Sequence, residues 1–185
     1  RVLFEQIVKI LTGVLPALET GFTDVQRRTL MDALGEAGSG YRWNYYQNGF
    51  SGKLMKLGRK KVNDFFDTTL QYVDHSLHAN RRRDGLYNSY NILRLQPGTA
   101  SVSPLYEMLE GQVAVLSSGL LSGAESLVLL NSLRSGPLFR ADQHSYILYP
   151  DRDLTNIFEK NRLSAQQVNG LVLARELEKA GDESL

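Results

Sequence analysis

The sequence predicts a mainly α-helical protein built from antiparallel helix pairs, and three features of the chain predict it. Apolar residues recur at intervals of three to four over most of its length, the period of one helix face. Three capping boxes, Thr23-Asp24-Val25-Gln26, Ser122-Gly123-Ala124-Glu125 and Ser164-Ala165-Gln166-Gln167, mark helix starts. Glycine and proline then stand where the periodic stretches stop.

The opening stretch carries Leu3, Ile7, Ile10, Leu11, Val14 and Leu18 on one stripe and ends or kinks near Pro16. Its Glu5 and Lys9, with no basic start or small-residue cleavage site, make it an amphipathic helix rather than a signal peptide or a membrane span. The helix begun by the Thr23 box is expected to stop around Gly35. Near residues 41–55 glycine, serine and aromatics dominate. Asn48-Gly49 between Tyr46 and Phe50 predicts a small β-hairpin or a long loop there. In an extended segment Tyr41, Trp43 and Tyr45 would share a face, either as a sugar-stacking platform or as a cover for the core.

A third helix is predicted from about Lys60 to Arg82, with Val62, Phe65, Phe66, Leu70, Val73 and Leu77 on one face. Asp84-Gly85 breaks it, and an irregular stretch follows. Ser103-Pro104 resembles a cap with proline at the first helical position, so a fourth helix is expected from there to Gly119. The Ser122 box starts the fifth, which Gly136-Pro137 ends, and the two are expected to pack as an antiparallel pair. A short helix near residues 154–160 and a last one, begun at Ser164 and fading at Gly181, leave a frayed tail at 182–185.

Composition narrows the function. The 185 residues suit a single helical domain, 1–185, and a chain that begins with Arg1 inside a helical pattern is expected to be a fragment of a longer protein. A net charge of +1 gives no basic field for nucleic acid or anionic lipid. With no cysteine there is no disulfide, thiolate nucleophile or cysteine-based zinc site, and the default location is cytoplasmic. A Walker loop, a dinucleotide-binding glycine turn, a nucleophile elbow and a zincin helix are all missing from the sequence.

Chemistry-bearing residues concentrate in two polar, aromatic-rich segments, 74–91 (DHSLHANRRRDGLYNSYN) and 137–151 (PLFRADQHSYILYPD). In the first, Arg82, Asp84, Tyr87, Tyr90 and Asn91 form a candidate sugar or oxyanion site, with forked guanidinium groups, two-sided amides and flat phenol rings. The same residues also read as a helix end dressed with arginines and an ordinary Asp-Gly turn. In the second, Arg140, Asp142, Gln143, His144, Tyr146 and Tyr149 either extend that site or form a local turn network. Asp84 and Asp142 are the candidate acid and base, and their separation would set the stereochemistry. Gln143, His144, Tyr149 and Trp43 complete the candidate substrate contacts. His75 and His78 offer a two-histidine edge without a third ligand close in sequence, so no metal or other cofactor is assigned.

The stretches HANRRRDGLYNSYNIL and LYEMLEGQVAVLSSG with PLFRADQHSYILYPDRDL resemble segments of large bacterial proteins described as cellobiose-phosphorylase-like. The resemblance implies an α/α-toroid carbohydrate-active domain of the glycoside phosphorylase or hydrolase type, with Asp84 and Tyr87 as loop residues of the matching DGLY segment. The predicted helices are too few to close a toroid, so the remainder of the parent chain would complete it. The expected ligands are an oligosaccharide and, for a phosphorylase, inorganic phosphate, with no nucleic acid or membrane as partner. The alternative is a non-catalytic helical structural or interaction module of a large bacterial protein.

Overall fold

In a computed structural model, residues 2–181 are described, and they carry nine helices and two small antiparallel hairpins. The chain divides into two units, Arg1–Pro150 and Asp151–Leu185. The expected tail at 182–185 lies outside the described residues.

The first unit opens with α1 (Val2–Val14), a short α2 (Ala17–Thr20), α3 (Asp24–Asn48) and α4 (Arg59–Ala79). Helix α1 packs on α3 and α4. Phe4 meets Phe65 at 5.3 Å between ring centres, and the Tyr72 hydroxyl donates to the Leu11 carbonyl at 2.5 Å. Thr23 closes its capping box with Gln26, worth about 1 kcal/mol to the start of α3.

The hairpin or long loop expected near residues 41–55 is corrected by α3, which runs on through Asn48 before an irregular stretch at 49–58. Asn-Gly marks hairpin turns and helix ends alike. Here Gly49, at a φ of 65°, caps α3 by donating its N–H to the Tyr45 carbonyl. On a helix, residues two apart point to different sides, so Tyr41 and Tyr45 do not share a face with Trp43. The glycines at 35, 38 and 40 weaken the helix without ending it.

A second correction falls on residues 91–104, where β1 (Asn91–Gln96) pairs antiparallel with β2 (Thr99–Pro104) in place of an irregular stretch and the start of a helix. Pro97 fixes its own φ and Gly98 supplies a φ of 74°, which makes a two-residue turn. The hairpin lies on α3, β2 most closely: Arg27 donates to the Ala100 carbonyl of β2 at 2.6 Å and Arg28 to that of Gln96, at the end of β1, at 3.1 Å. Pro104 thus ends a strand, and α5 (Leu109–Ser117) begins five residues later.

Helix α6 (Gly123–Ser135) starts at the Ser122 box as expected, and β3 (Phe139–Arg140) and β4 (Ser145–Tyr146) follow. The buried core lies in this part of the unit. Leu86, Leu133 and Leu138 form one cluster, backed by Leu109 and Ile147; Tyr87, Val115 and Leu129 form a second, backed by Leu77, Leu116 and Leu121. Helices α5 and α6 therefore share buried side chains.

The second unit holds α7 (Ile157–Lys160), α8 (Ala165–Gly170) and α9 (Val172–Ala180). Extended backbone at Leu171 separates α8 from α9, and Gly181 caps α9 in the left-handed conformation. Among the described residues, no helix is long and apolar enough to cross a membrane.

Candidate functional site

Past the end of α4, Asn80 caps the helix by donating its N–H to the Ser76 and Leu77 carbonyls, and the chain folds into a tight loop. The Arg82 N–H donates to the Leu86 carbonyl at 2.8 Å, and Gly85 turns the corner at a φ of 84°. Only glycine fits there, because a Cβ would lie 2.7 Å from the Ser132 hydroxyl. This turn directs Arg82 onto two carboxylates: Asp84 at 2.8 Å and Glu107 at 2.9 Å.

Asp84 also accepts from the Leu86 N–H at 3.2 Å. Its hydrogen bond to Arg82 holds the Asp84 carboxyl below the ordinary carboxylate range, and the same bond raises the Arg82 guanidinium. A proton donor at neutral pH needs the opposite shift. Asp84 is therefore an ionised group in a fork, and much of the Arg82 hydrogen-bonding capacity is already committed.

The second polar segment makes the β3–β4 hairpin, in which Arg140 ends β3 and the turn carries Asp142, Gln143 and His144. Arg140 grips Asp142 through two nitrogens at 3.0 Å each, and this contact holds the Asp142 carboxyl low. Gln143 accepts from the Ser145 hydroxyl at 3.4 Å. His144 is exposed and takes a left-handed φ of 49°, the position such a turn usually gives to glycine or asparagine. The two aspartates thus have separate arginine partners.

The segments nevertheless fold together. Leu86 of the first shares a buried cluster with Leu138 of the second, and the Leu109 N–H donates to the Leu148 carbonyl at 3.0 Å. At the surface Tyr90 and Tyr149, one from each segment, come close enough for Tyr149 to bear on the Tyr90 phenol, and Tyr90 hydrogen-bonds to Glu110. That bond, then the charge of Glu110, raises the Tyr90 phenol above its ordinary range. Tyr106 meets Tyr149 edge-on, 6.5 Å between centres at 80°. Tyr90 is 54% exposed and Tyr149 49%, so two phenol rings and a carboxylate face solvent together.

No protein-family model matches the sequence, and no curated protein matches it.

Sequence reasoning missed Tyr106 and Glu110, because both fell within the fourth helix expected after Ser103-Pro104. Their spacing to Tyr90 is tertiary. Tyr87 is corrected from a substrate contact to a core residue: it is 3% exposed, packed with Val115 and Leu129. Asn91 begins β1 and donates to the Asn80 side chain at 2.9 Å. Trp43 stands exposed on α3.

The histidines of α4 are engaged locally. His75 sets its ring edge-on against Phe22, and His78 lies 2.7 Å from the Asp74 carbonyl. Among the described residues, no group of three or more histidine, cysteine or acidic side chains is placed to hold a metal ion.

Proposed function

We propose that this chain forms a sugar-binding wall of a carbohydrate-active helical domain, of the α/α-toroid type seen in glycoside phosphorylases and hydrolases, completed by the rest of a parent chain. The observation that carries it is the meeting of Tyr90, Tyr106, Tyr149 and Glu110, assembled around both polar segments. Exposed phenol rings offer the flat faces on which the C–H surface of a pyranose packs, and a carboxylate beside them accepts from neighbouring sugar hydroxyls. Asp84 and Asp142, each held low in an arginine fork, suit neither a proton donor nor a strong base, so in this reading they shape and charge the wall. A cytoplasmic setting belongs to the same proposal, since phosphorolysis consumes inorganic phosphate.

A second reading, a non-catalytic interaction module, is favoured by a different observation. Phe66, Leu70 and Val73 lie along one side of α4 and remain about half exposed or more. Calorimetric titration of the chain with cellobiose separates the two. Saturable binding that is lost in both Tyr90→Ala and Tyr149→Ala supports the sugar wall; binding that both substitutions leave intact overturns the wall, and no binding favours the interaction module.

A further inference from the structure

We propose that a groove between α4 and residues 88–89 is a separate binding site for one neutral, polyhydroxylated ring, such as a monosaccharide unit. The groove has a volume of about 320 Å³, at the small end of ligand sites, and none of the residues lining it is charged. It is formed by other residues than the Tyr90 cluster and does not depend on it.

The polarity of the lining follows from where its protons go. Thr69 donates its hydroxyl proton to the Phe65 carbonyl at 2.8 Å, Ser76 to Tyr72 at 2.7 Å, Tyr72 to Leu11 at 2.5 Å, and Ser89 to Met108 at 3.4 Å. Each hydroxyl has one proton, so each of these oxygens is left as an acceptor. Asn80 is likewise committed, donating to the Ser76 carbonyl and accepting from Asn91. The Asn88 side chain, half-buried at the rim, has no hydrogen bond among the described residues and adds an amide with both capacities. The remaining walls are apolar, Val73, Leu77 and Val115.

A lining of this kind selects by chemistry. Phosphate and carboxylate ligands bring acceptors to acceptors and find no cation, while an ammonium finds no carboxylate to replace its water. A sugar ring brings hydroxyl donors on its edge and C–H groups on its face. Both find counterparts here. Partial burial raises the Tyr72 phenol above its ordinary value, so it keeps the proton that it donates to Leu11.

The test is an NMR titration of the full chain with glucose, and with inorganic phosphate as the contrasting probe. The expected result is saturable shifts at the amides of Ser76, Asn88 and Ser89 with glucose and none with phosphate. Asn88→Leu and the near-isosteric Thr69→Val should each weaken glucose binding about tenfold or less, the loss of a neutral hydrogen bond. Absence of saturable shifts in the groove, a phosphate response there, or full affinity in a folded Thr69→Val chain overturns the proposal. Glucose shifts confined to Tyr90 and Tyr149 overturn it while sparing the sugar wall; shifts at Asn88 with no cellobiose effect at the tyrosines do the reverse.

Discussion

The side-chain amide of Gln112 pairs with the backbone of Tyr87 as a neighbouring strand would. Its Oε1 accepts from the Tyr87 N–H at 2.9 Å, and its Nε2 donates to the Tyr87 carbonyl at 2.8 Å and to that of Met108 at 2.9 Å. Gln112 is fully buried. The pairing fixes the segment carrying Arg82 and Asp84 against α5, and it explains how a polar residue is accommodated in the core.

Replacing that amide should therefore be costly. Gln112→Leu keeps the volume but leaves a buried N–H and a buried carbonyl of Tyr87 unpaired, at about 1–3 kcal/mol each in comparable settings. We expect a loss of about 3 kcal/mol in urea denaturation. A loss under about 1 kcal/mol would mean that water or a backbone shift satisfies both groups.

Close approach of α5 to the same segment gives a second prediction. A Cβ on Gly111 would stand 2.0 Å from the Ser89 hydroxyl oxygen, 2.8 Å from its Cβ and 3.0 Å from its Cα. Gly111→Ala should cost about 1–3 kcal/mol by overpacking. Adding Ser89→Gly removes two of the three clashes and should restore most of the loss. Equal stability of the single and double variants would show that the backbone contact dominates.

Acid stability should report the Arg82–Asp84 fork. The folded Asp84 carboxyl lies below its ordinary value of 3.8, so the folded state holds its proton less tightly than the unfolded chain does. The stabilisation is complete above that value and is lost as pH falls through the lower, folded value. Glu125, lowered by its bond to Ser122 from 4.5, acts in the adjoining window. Melting temperature should thus be flat from neutrality down to about pH 5 and then fall. Asp84→Asn should flatten the most acidic part of that fall, and an unchanged profile sinks the assignment.

The Tyr90 phenol should titrate late because it bonds to Glu110. Glu110→Gln removes the negative charge that opposes ionisation, so the phenol should move down towards its ordinary value of 10.0. Ring signals of Tyr90 followed by NMR against pH would show it. An identical midpoint in the variant would mean the two groups are apart in solution.

What the sequence made legible was local chemistry. The boxes at Thr23, Ser122 and Ser164 each close as their spacing requires, since the partners lie three residues apart and need no tertiary fold. The β1–β2 hairpin was hidden because β1 buries neither face, leaving no alternation to find, and because Ser103-Pro104 resembles a helix start. In the site, both polar segments were recognisable as such. Their charges were harder: Asp84 and Asp142 each close on an arginine two residues away, whereas Glu110 reaches Tyr90 only through the fold. Tyr87, polar by type, went inside because its neighbours Val115 and Leu129 form the core around it.

The extension of α3 past Gly35 has its own test, because helix and hairpin respond oppositely to alanine. Gly35, Gly38 and Gly40 lie within α3, none has a positive φ, and a Cβ on any of them would meet nothing within 4 Å. Alanine there reduces the freedom of the unfolded chain without strain, so each substitution should stabilise by about 0.5–1 kcal/mol. Gly49 is the contrasting position: its φ of 65° disfavours any Cβ, and Gly49→Ala should destabilise although the space is open. The triple variant should also show greater helicity by circular dichroism. If instead alanine at 38 and 40 destabilises, those residues need a conformation that only glycine reaches, and α3 ends near Gly35 in solution.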